Sequence, residues 1–343
     1  MRIGVYNPYL ESGMGGGERY VLTLAAHWSK NHKVSIFCDN LDIKKSSLEM
    51  FKIDISNTQI VHNFFRTNNL LKKLYQTTQY DVIFFLTDGS IPSSLARYNI
   101  LHFQIPFQHL ENNPFKISRF STFVCNSLFT KNNLPVGIKY KAIVIYPPVD
   151  IDSCRVLPKE KIILSVGRFN KTKKQHVLIQ AFSEFLKKRH DHRLIIVGGL
   201  IESDGSYFNE LKERSRELAI TLLPNCSNTQ LAHLYGKASL YWHAAGFGET
   251  NPELMEHFGI STVEAMASKA IPVVFQGGGQ PEIVNDGKNG YLWSSVEELL
   301  EKSSILLNSQ DLLTSFRENA WKSAKSFNQE IFCDKYDQLL HQL

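Results

Sequence analysis

The stretch Glu256-His257-Phe258-Gly259-Ile260-Ser261-Thr262-Val263-Glu264 sets two carboxylates at the ends of a short turn. Ser261 with Glu264 three positions later spells a capping box, which predicts a helix starting near Ser261. The unpaired amides at such a start suit a diphosphate. Glu256 then falls in the preceding loop and Glu264 in the first helical turn, so each can address a different part of one extended ligand. The same residues also suit a capped helix preceded by a surface acid. Gly167-Arg168-Phe169, followed by Lys173 and Lys174, supplies cations on one loop. A planar guanidinium fork and a compact ammonium together fit a diphosphate and could neutralise it as a leaving group. A solvated basic loop fits them as well.

Two more segments have chemistry to offer. Gly13-Met14-Gly15-Gly16-Gly17-Glu18 follows the strand-like RIGVYNPY and opens a helical pattern. Its glycines would let backbone amides approach a phosphate. It is no dinucleotide fingerprint, because Glu18 occupies the last glycine position, and it lacks the G-K-[ST] of a P-loop. A structural tight turn is the plain alternative. His102, at the end of NILHFQ, could stabilise developing charge or position a hydroxyl, and it could equally be a packed strand-end histidine.

Elements that position such residues follow from the patterning. Short β-branched and aromatic runs (RIGVYNPY, KVSIFC, YDVIFFLT, NILHFQ, STFVCN, KAIVIYPP) alternate with helical periods such as Val21, Leu24, Ala25 and Trp28. A second series starts at KIILSVGRF and runs through RLIIVGG, AITLLP, SLYWHA, IPVVFQ and GYLW. Alternation of this kind predicts α/β architecture with doubly wound parallel sheets, whose ligands bind at the carboxyl ends of strands. The proline-bearing YPPVDIDSCRVLPKEK reads as a linker, and NQEIFCDKYDQLLHQL as a terminal helix.

With 343 residues, 43% hydrophobic and 21% charged, the chain has room for two globular domains. Five cysteines are scattered without C-x-x-C or Cys/His metal spacing, which predicts a reducing compartment and no metal site. No cationic leader with an apolar core opens the sequence, and no apolar run approaches the roughly 18–20 residues that span a bilayer. The expectation is a cytoplasmic protein that meets a membrane, if at all, from its inner face. Residues 1–150 hold 16 Lys and Arg against 10 Asp and Glu, while the remainder holds 22 against 23. The basic first half points to an anionic partner or to a plain solvated surface. No recognised nucleic-acid module accompanies it, so no nucleic-acid partner is expected.

Taken together, these segments resemble the family-four retaining glycosyltransferases of GT-B fold, over nearly the whole chain. The most specific part is the E-x7-E motif, Glu256–Glu264, with Glu264-Ala265-Met266-Ala267 following. PVVFQGGGQPEIVNDGKNGYLW, with Gly278, Glu282 and Gly290, matches the usual close of the donor domain. SVGRFNKTKKQHVLIQAF resembles the family's G-R-x(4)-K-G stretch, with Lys174 where glycine is usual.

The resemblance implies two Rossmann-like domains facing across a cleft. They would be an acceptor-binding domain over 1–150, a nucleotide-sugar domain over 151–325, and a helix over 326–343 crossing back to the first. It assigns Glu256 to the donor sugar's hydroxyls and Glu264 to the ribose. Phe258, Gly259 and Ile260 would offer amides to sugar and phosphates, Arg168 and Lys173 would hold the diphosphate, and Gly15, Gly16 and Gly17 would line it from the first domain. His102 would sit beside the anomeric centre.

The implied reaction is metal-independent hexose transfer with retention, by front-face substitution, to a glycan or lipid-linked acceptor. The segment from Phe247 to Pro252 and EHFGIS resemble the branch of bacterial polysaccharide enzymes and lipid-linked mannosyltransferases, giving GDP-mannose as first donor and a UDP-hexose as second. Lys72, Lys73, Lys116 and Arg119 are the cations that could dock on anionic lipid. An epimerase or phosphorylase of the same fold, or an inactive nucleotide-sugar-binding subunit, are the alternatives.

Overall fold

A computed structural model describes residues 1–11, 15–111 and 113–343. The chain divides into two compact units, Met1–Pro148 with Gln329–Leu343, and Val149–Asn328.

The first unit is built on a seven-stranded sheet. Its strands are β1 (Arg2–Tyr6), β2 (Lys33–Phe37), β3 (Gln59–Val61), β4 (Val82–Leu86), β5 (Tyr98–Phe103), β6 (Thr122–Cys125) and β7 (Ala142–Val144). All pair in parallel, in the order β3-β2-β1-β4-β5-β6-β7. The central strand β4 is buried throughout, as a strand covered on both faces must be. One face packs Tyr20, Leu24 and Trp28 of the helix Gly16–Trp28 against Phe84 and against Phe332, Tyr336 and Leu340 of the helix Gln329–Gln342. Tyr20 Oη and Tyr336 Oη lie 2.8 Å apart within that layer, so the last helix is an integral part of this unit's core. The opposite face carries an aromatic cluster that includes Phe37, Phe65, Phe85 and Phe123.

The second unit repeats the scheme with six parallel strands. They are β8 (Glu160–Val166), β9 (Arg193–Gly198), β10 (Ile220–Pro224), β11 (Ala238–His243), β12 (Ile271–Phe275) and β13 (Tyr291–Trp293), in the order β10-β9-β8-β11-β12-β13. The helices Gln175–Leu186, Val296–Leu307 and Gln310–Ala324 bury apolar residues in its core.

In each unit the strand order reverses beside the first strand, between β1 and β4 and between β8 and β11. Open parallel sheets bind ligands in the crevice at such a switch point, outside the carboxyl ends of the strands. The Gly15–Gly17 turn follows β1, Gly167-Arg168 follows β8, and the loop that ends in Glu256 follows β11.

Candidate active site

In the second unit two of the predicted residues, Lys173 and Glu256, meet. Lys173 closes a one-turn helix, Lys171–Lys173, and its Nζ lies 2.7 Å from Glu256 Oε2. His243, the last residue of β11 and almost wholly buried, places Nε2 2.9 Å from the same oxygen. Gln280 Nε2 donates toward His243 Nδ1 at 3.4 Å, which leaves the ring proton on Nε2, facing Glu256. Both contacts fall on Oε2, so Oε1 keeps its lone pairs for a ligand hydroxyl. Burial alone would raise the Glu256 pKa, but the Lys173 ammonium and the His243 hydrogen bond outweigh it and hold the carboxyl well below the usual range. Glu256 is therefore a fixed anion with one open oxygen.

Backbone close approach keeps this loop in place. Gly278 has φ +64, and a side chain there would meet the Glu256 carbonyl oxygen at 2.0 Å. The next amide, that of Gly279, donates to that carbonyl at 2.8 Å. The glycine run of QGGGQPE is thus the wall on which Glu256 rests.

The helix behind the loop spans Ile260–Ala267, and its N-cap is Gly259 at φ +116. The start lies beside Ser261 as expected, but the capping box expected there is not formed. A left-handed residue caps the helix, so Ser261 lies inside the first turn, where Tyr241 Oη donates to its Oγ at 2.8 Å. Glu264, expected to close the capping box, instead accepts from Tyr235 Oη at 3.1 Å. The amides of Ile260 and Ser261 have no acceptor within the helix, as at any helix start, and they remain the ones suited to an anion. Phe258 is buried, its ring 5.4 Å from that of Phe327, so only its backbone could serve a ligand.

The two lysines separate cleanly. Lys174 adopts φ +54, a left-handed conformation at a position where the resemblance expects glycine, and its Nζ lies 2.5 Å from Glu249 Oε1. Lys173 is the one held on Glu256. Arg168 is exposed just beyond β8, on the loop whose backbone oxygens accept from Gln175 Nε2.

The first unit departs from expectation at two places. His102 is fully buried in β5, its ring stacked 4.1 Å from that of Tyr20. Gln104 Nε2 donates to its Nε2 at 2.9 Å, and burial pushes the imidazole pKa down to about 3. A neutral ring inside the sheet has no edge to offer a sugar, and Gln104 is the half-buried polar group that stands at the strand end instead. Gly15 spends its amide on Glu18 Oε2 at 2.8 Å, and Asn7 Nδ2 holds the other Glu18 oxygen at 3.1 Å. Glu18 therefore occupies part of the helix start that a phosphate was expected to meet. The amides of Gly16 and Gly17, the first two helical residues, stay suited to that role. Gly13 and Met14 lie outside the described residues.

Sequence reasoning missed His243, Gln280 and Gln104. His243 closes a fully apolar-looking strand, SLYWHA, and only the sheet register sets it under Glu256. Among the described residues no group of three or more His, Cys, Asp and Glu side chains could hold a metal ion.

Comparison with known proteins gives the arrangement its relatives. The family "Glycosyl transferases group 1" matches residues 152–323, and "Glycosyltransferase Family 4" matches residues 14–153. The chain is 27% identical over 217 residues to the GDP-Man:Man(3)GlcNAc(2)-PP-Dol alpha-1,2-mannosyltransferase of Dictyostelium discoideum, covering 57% of this chain and 41% of that protein. It is 28% identical over 212 residues to an uncharacterized glycosyltransferase of Methanocaldococcus jannaschii, covering 60% of this chain and 55% of the relative. The chain thus spans about half the length, or less, of these curated relatives. Anabaena HepE, solved with UDP and glucose, superposes with a TM-score of 0.77 at 20% identity, covering all of both chains. Sucrose-phosphate synthase from Thermosynechococcus elongatus gives 0.72 at 14% identity, covering 99% of this chain and 98% of that one. The fold is that of these GT-B proteins.

Proposed function

The chain belongs to the group 1 glycosyltransferases, and from that premise we propose that it transfers a hexose from a nucleoside-diphosphate sugar to a glycan or lipid-linked acceptor. The observation that carries the reading is Glu256. It is a carboxylate locked by Lys173 and His243 through one oxygen, with the other open, in the loop before a helix whose first amides lack partners. In this reading the open oxygen accepts from the donor sugar's hydroxyls. Amides of the Gly259–Ser261 turn meet the diphosphate, and Glu264, steadied by Tyr235, accepts from the ribose. The second unit takes the donor and the first the acceptor.

Arg168 and Lys173 supply positive charge where the diphosphate would depart, a preorganised stabilisation that needs no metal ion. Retention follows if the departing phosphate oxygen takes the acceptor's proton as that hydroxyl attacks the same face of the sugar. A buried neutral His102 takes no part in that proton transfer, and its place in the reaction is to fix the amide of Gln104. Activity should persist in EDTA, and a strict requirement for added Mg²⁺ or Mn²⁺ would overturn the metal-independent mechanism. The anomeric configuration of the new glycosidic bond, read by proton NMR of the product, tests retention directly, and an inverted product would rule out front-face substitution.

GDP-mannose is the first donor, because curated relatives such as the Dictyostelium enzyme are named for it. A UDP-hexose is the second, favoured by the fold shared with a protein crystallised with UDP and glucose. A thermal-shift panel of both nucleotides separates them, since the true donor raises stability by mass action. A seat at an anionic membrane is the remaining part of the reading, supported by the basic first 150 residues.

A further inference from the structure

Residues 244–259 carry the chain from the end of β11 to the helix Ile260–Ala267. Connections longer than about 12–15 residues usually serve function rather than economy of chain. The first part of this one closes on itself. Gly246, at φ +91, lies against Met255, so that a Cβ there would stand 3.5 Å from the Met255 Cα. Residues 246–255 are thus an Ω-loop, compact and with adjacent ends. Its own backbone ties it inside, the Glu249 amide donating to the Gly246 carbonyl at 3.0 Å and that of Leu254 to the Asn251 carbonyl at 3.1 Å. Near its base, the Phe247 ring packs on those of Phe275 and Trp293, with centroids 5.5 and 5.3 Å away. Glu256 is the next residue along the chain, so any sway of the loop is passed to that carboxylate.

From the loop, Glu249 reaches across to a different segment, where its Oε1 takes Lys174 Nζ at 2.5 Å. The two side chains are only 22% and 19% exposed, which shields the pair from water and salt. Lys174 sits at φ +54, a backbone that glycine holds without strain, so the backbone is no reason for a lysine there. Its side chain is the reason. Consecutive lysines clasp two carboxylates of one loop, Lys173 on Glu256 and Lys174 on Glu249. We propose that Lys174 and Glu249 are positioning residues, a latch that keeps the Ω-loop closed and Glu256 in place before the donor sugar arrives. The inference deepens the proposed reading of Glu256 and rests on it. With the latch open, only part of the population holds Glu256 ready, and apparent affinity falls by that fraction. A bound sugar draws the loop shut again, so the step that follows keeps its rate.

Isothermal titration of the full chain with GDP-mannose and with UDP-glucose, and hydrogen exchange of the loop amides without nucleotide, test the latch. Lys174→Gly removes the cation and suits the backbone, while Glu249→Ala removes the anion. Each should weaken the sugar nucleotide that binds by about tenfold, as when the competent fraction falls to about a tenth. Release of nucleoside diphosphate to water at saturating sugar nucleotide should stay within about twofold of the unaltered rate. The double variant should bind no worse than either single one, because both remove the same contact. Exchanging the charges, Lys174→Glu with Glu249→Lys, should recover most of the affinity. Neither a role in bulk stability nor a direct grip of Lys174 on the diphosphate would allow that rescue. Amides of residues 246–255 should exchange about tenfold faster in both single variants, as local opening becomes easier. Unchanged exchange, unchanged affinity in either single variant, or additive losses in the double one would overturn the proposal. So would weaker binding for Lys174→Gly with tighter binding for Glu249→Ala, since Lys174 would then meet the donor itself. If neither sugar nucleotide binds the unaltered chain, the proposed function falls, and the exchange rates alone decide the latch.

Discussion

Glu256 is a carboxylate whose charge is fixed by its neighbours, and its removal should be felt in chemistry before stability. Glu256→Gln keeps the shape and loses the charge that Lys173 and His243 were set to meet. Transfer should fall by about 10²–10³-fold, the scale for losing one preorganised electrostatic contact, with the far-ultraviolet dichroism unchanged. Near-normal turnover would remove Glu256 from the site. The acid limb of stability offers a second reading of the same residue. Its folded pKa lies below the ordinary value of about 4.3, so the contribution is complete above that pH and lost as pH falls toward the folded value. The Gln variant should therefore lose less stability than the unaltered chain on acidification below about pH 4, as denaturant midpoints would register. His243→Ala tests position against contact. If the imidazole only orients Glu256, kcat should drop by roughly tenfold, about 1.4 kcal/mol, with a smaller change in donor affinity. An unchanged kcat would make the ring a packing residue.

Elements explain what the sequence could and could not disclose. Glu256, Glu264, Arg168 and Lys173 stand out in the sequence because their spacing matches one motif set, and the strand pattern puts Arg168 at a carboxyl end. His243 does not, because its role depends on β11 lying next to β8 and on a loop that folds back over it. The cap, expected at Ser261, stands at Gly259, since a serine–glutamate spacing looks like a capping box whether or not a glycine upstream has taken the cap. His102 was misjudged for a related reason. Strand-end position says nothing of depth, and Tyr20 arrives over it from a helix far away in sequence. Strand β3, three residues without an apolar run, carried no signal at all.

Lys159 belongs to this scale as well. Its Nζ donates to the carbonyls of Gly236 and Ser268 at 2.7 and 2.6 Å, at the carboxyl ends of the helices Asn228–Lys237 and Ile260–Ala267. Burial and then the charges of Arg317 and Lys269 lower its pKa to about 7, far beneath the ordinary lysine value. Between the folded and unfolded values the unfolded chain binds more protons, so stability should rise as pH climbs from about 7 to about 10. Lys159→Met should flatten that slope and cost about 1–3 kcal/mol at neutral pH, because it strands the Ser268 carbonyl and leaves that of Gly236 to the Leu157 amide alone. Urea titrations across that pH range measure both effects, and a variant with the same slope would mean the ammonium is solvated.

At the scale of the whole molecule, the first unit's opening stretch ends at Pro148, where prolines and polar residues interrupt both periodicities. The return of the last helix to the first unit followed from resemblance alone. It is now visible as packing, with Phe332, Tyr336 and Leu340 buried against the helix Gly16–Trp28. Removing residues 329–343 should therefore unfold the first unit and spare the second. Calorimetry of the truncated chain should keep one transition, the one that shifts with added nucleotide. Two surviving transitions would show the helix to be dispensable.

That returning helix also orders events at the ribosome. Residues 1–148 emerge before residues 329–343, yet part of their core is encoded in that later segment. Translating residues 149–328 in between takes on the order of ten to forty seconds at about 5–20 residues per second. During that interval Tyr20 and Trp28 have no Tyr336 to cover them, and the nascent chain exposes an apolar stripe that a chaperone would recognise. The half synthesised first is completed last.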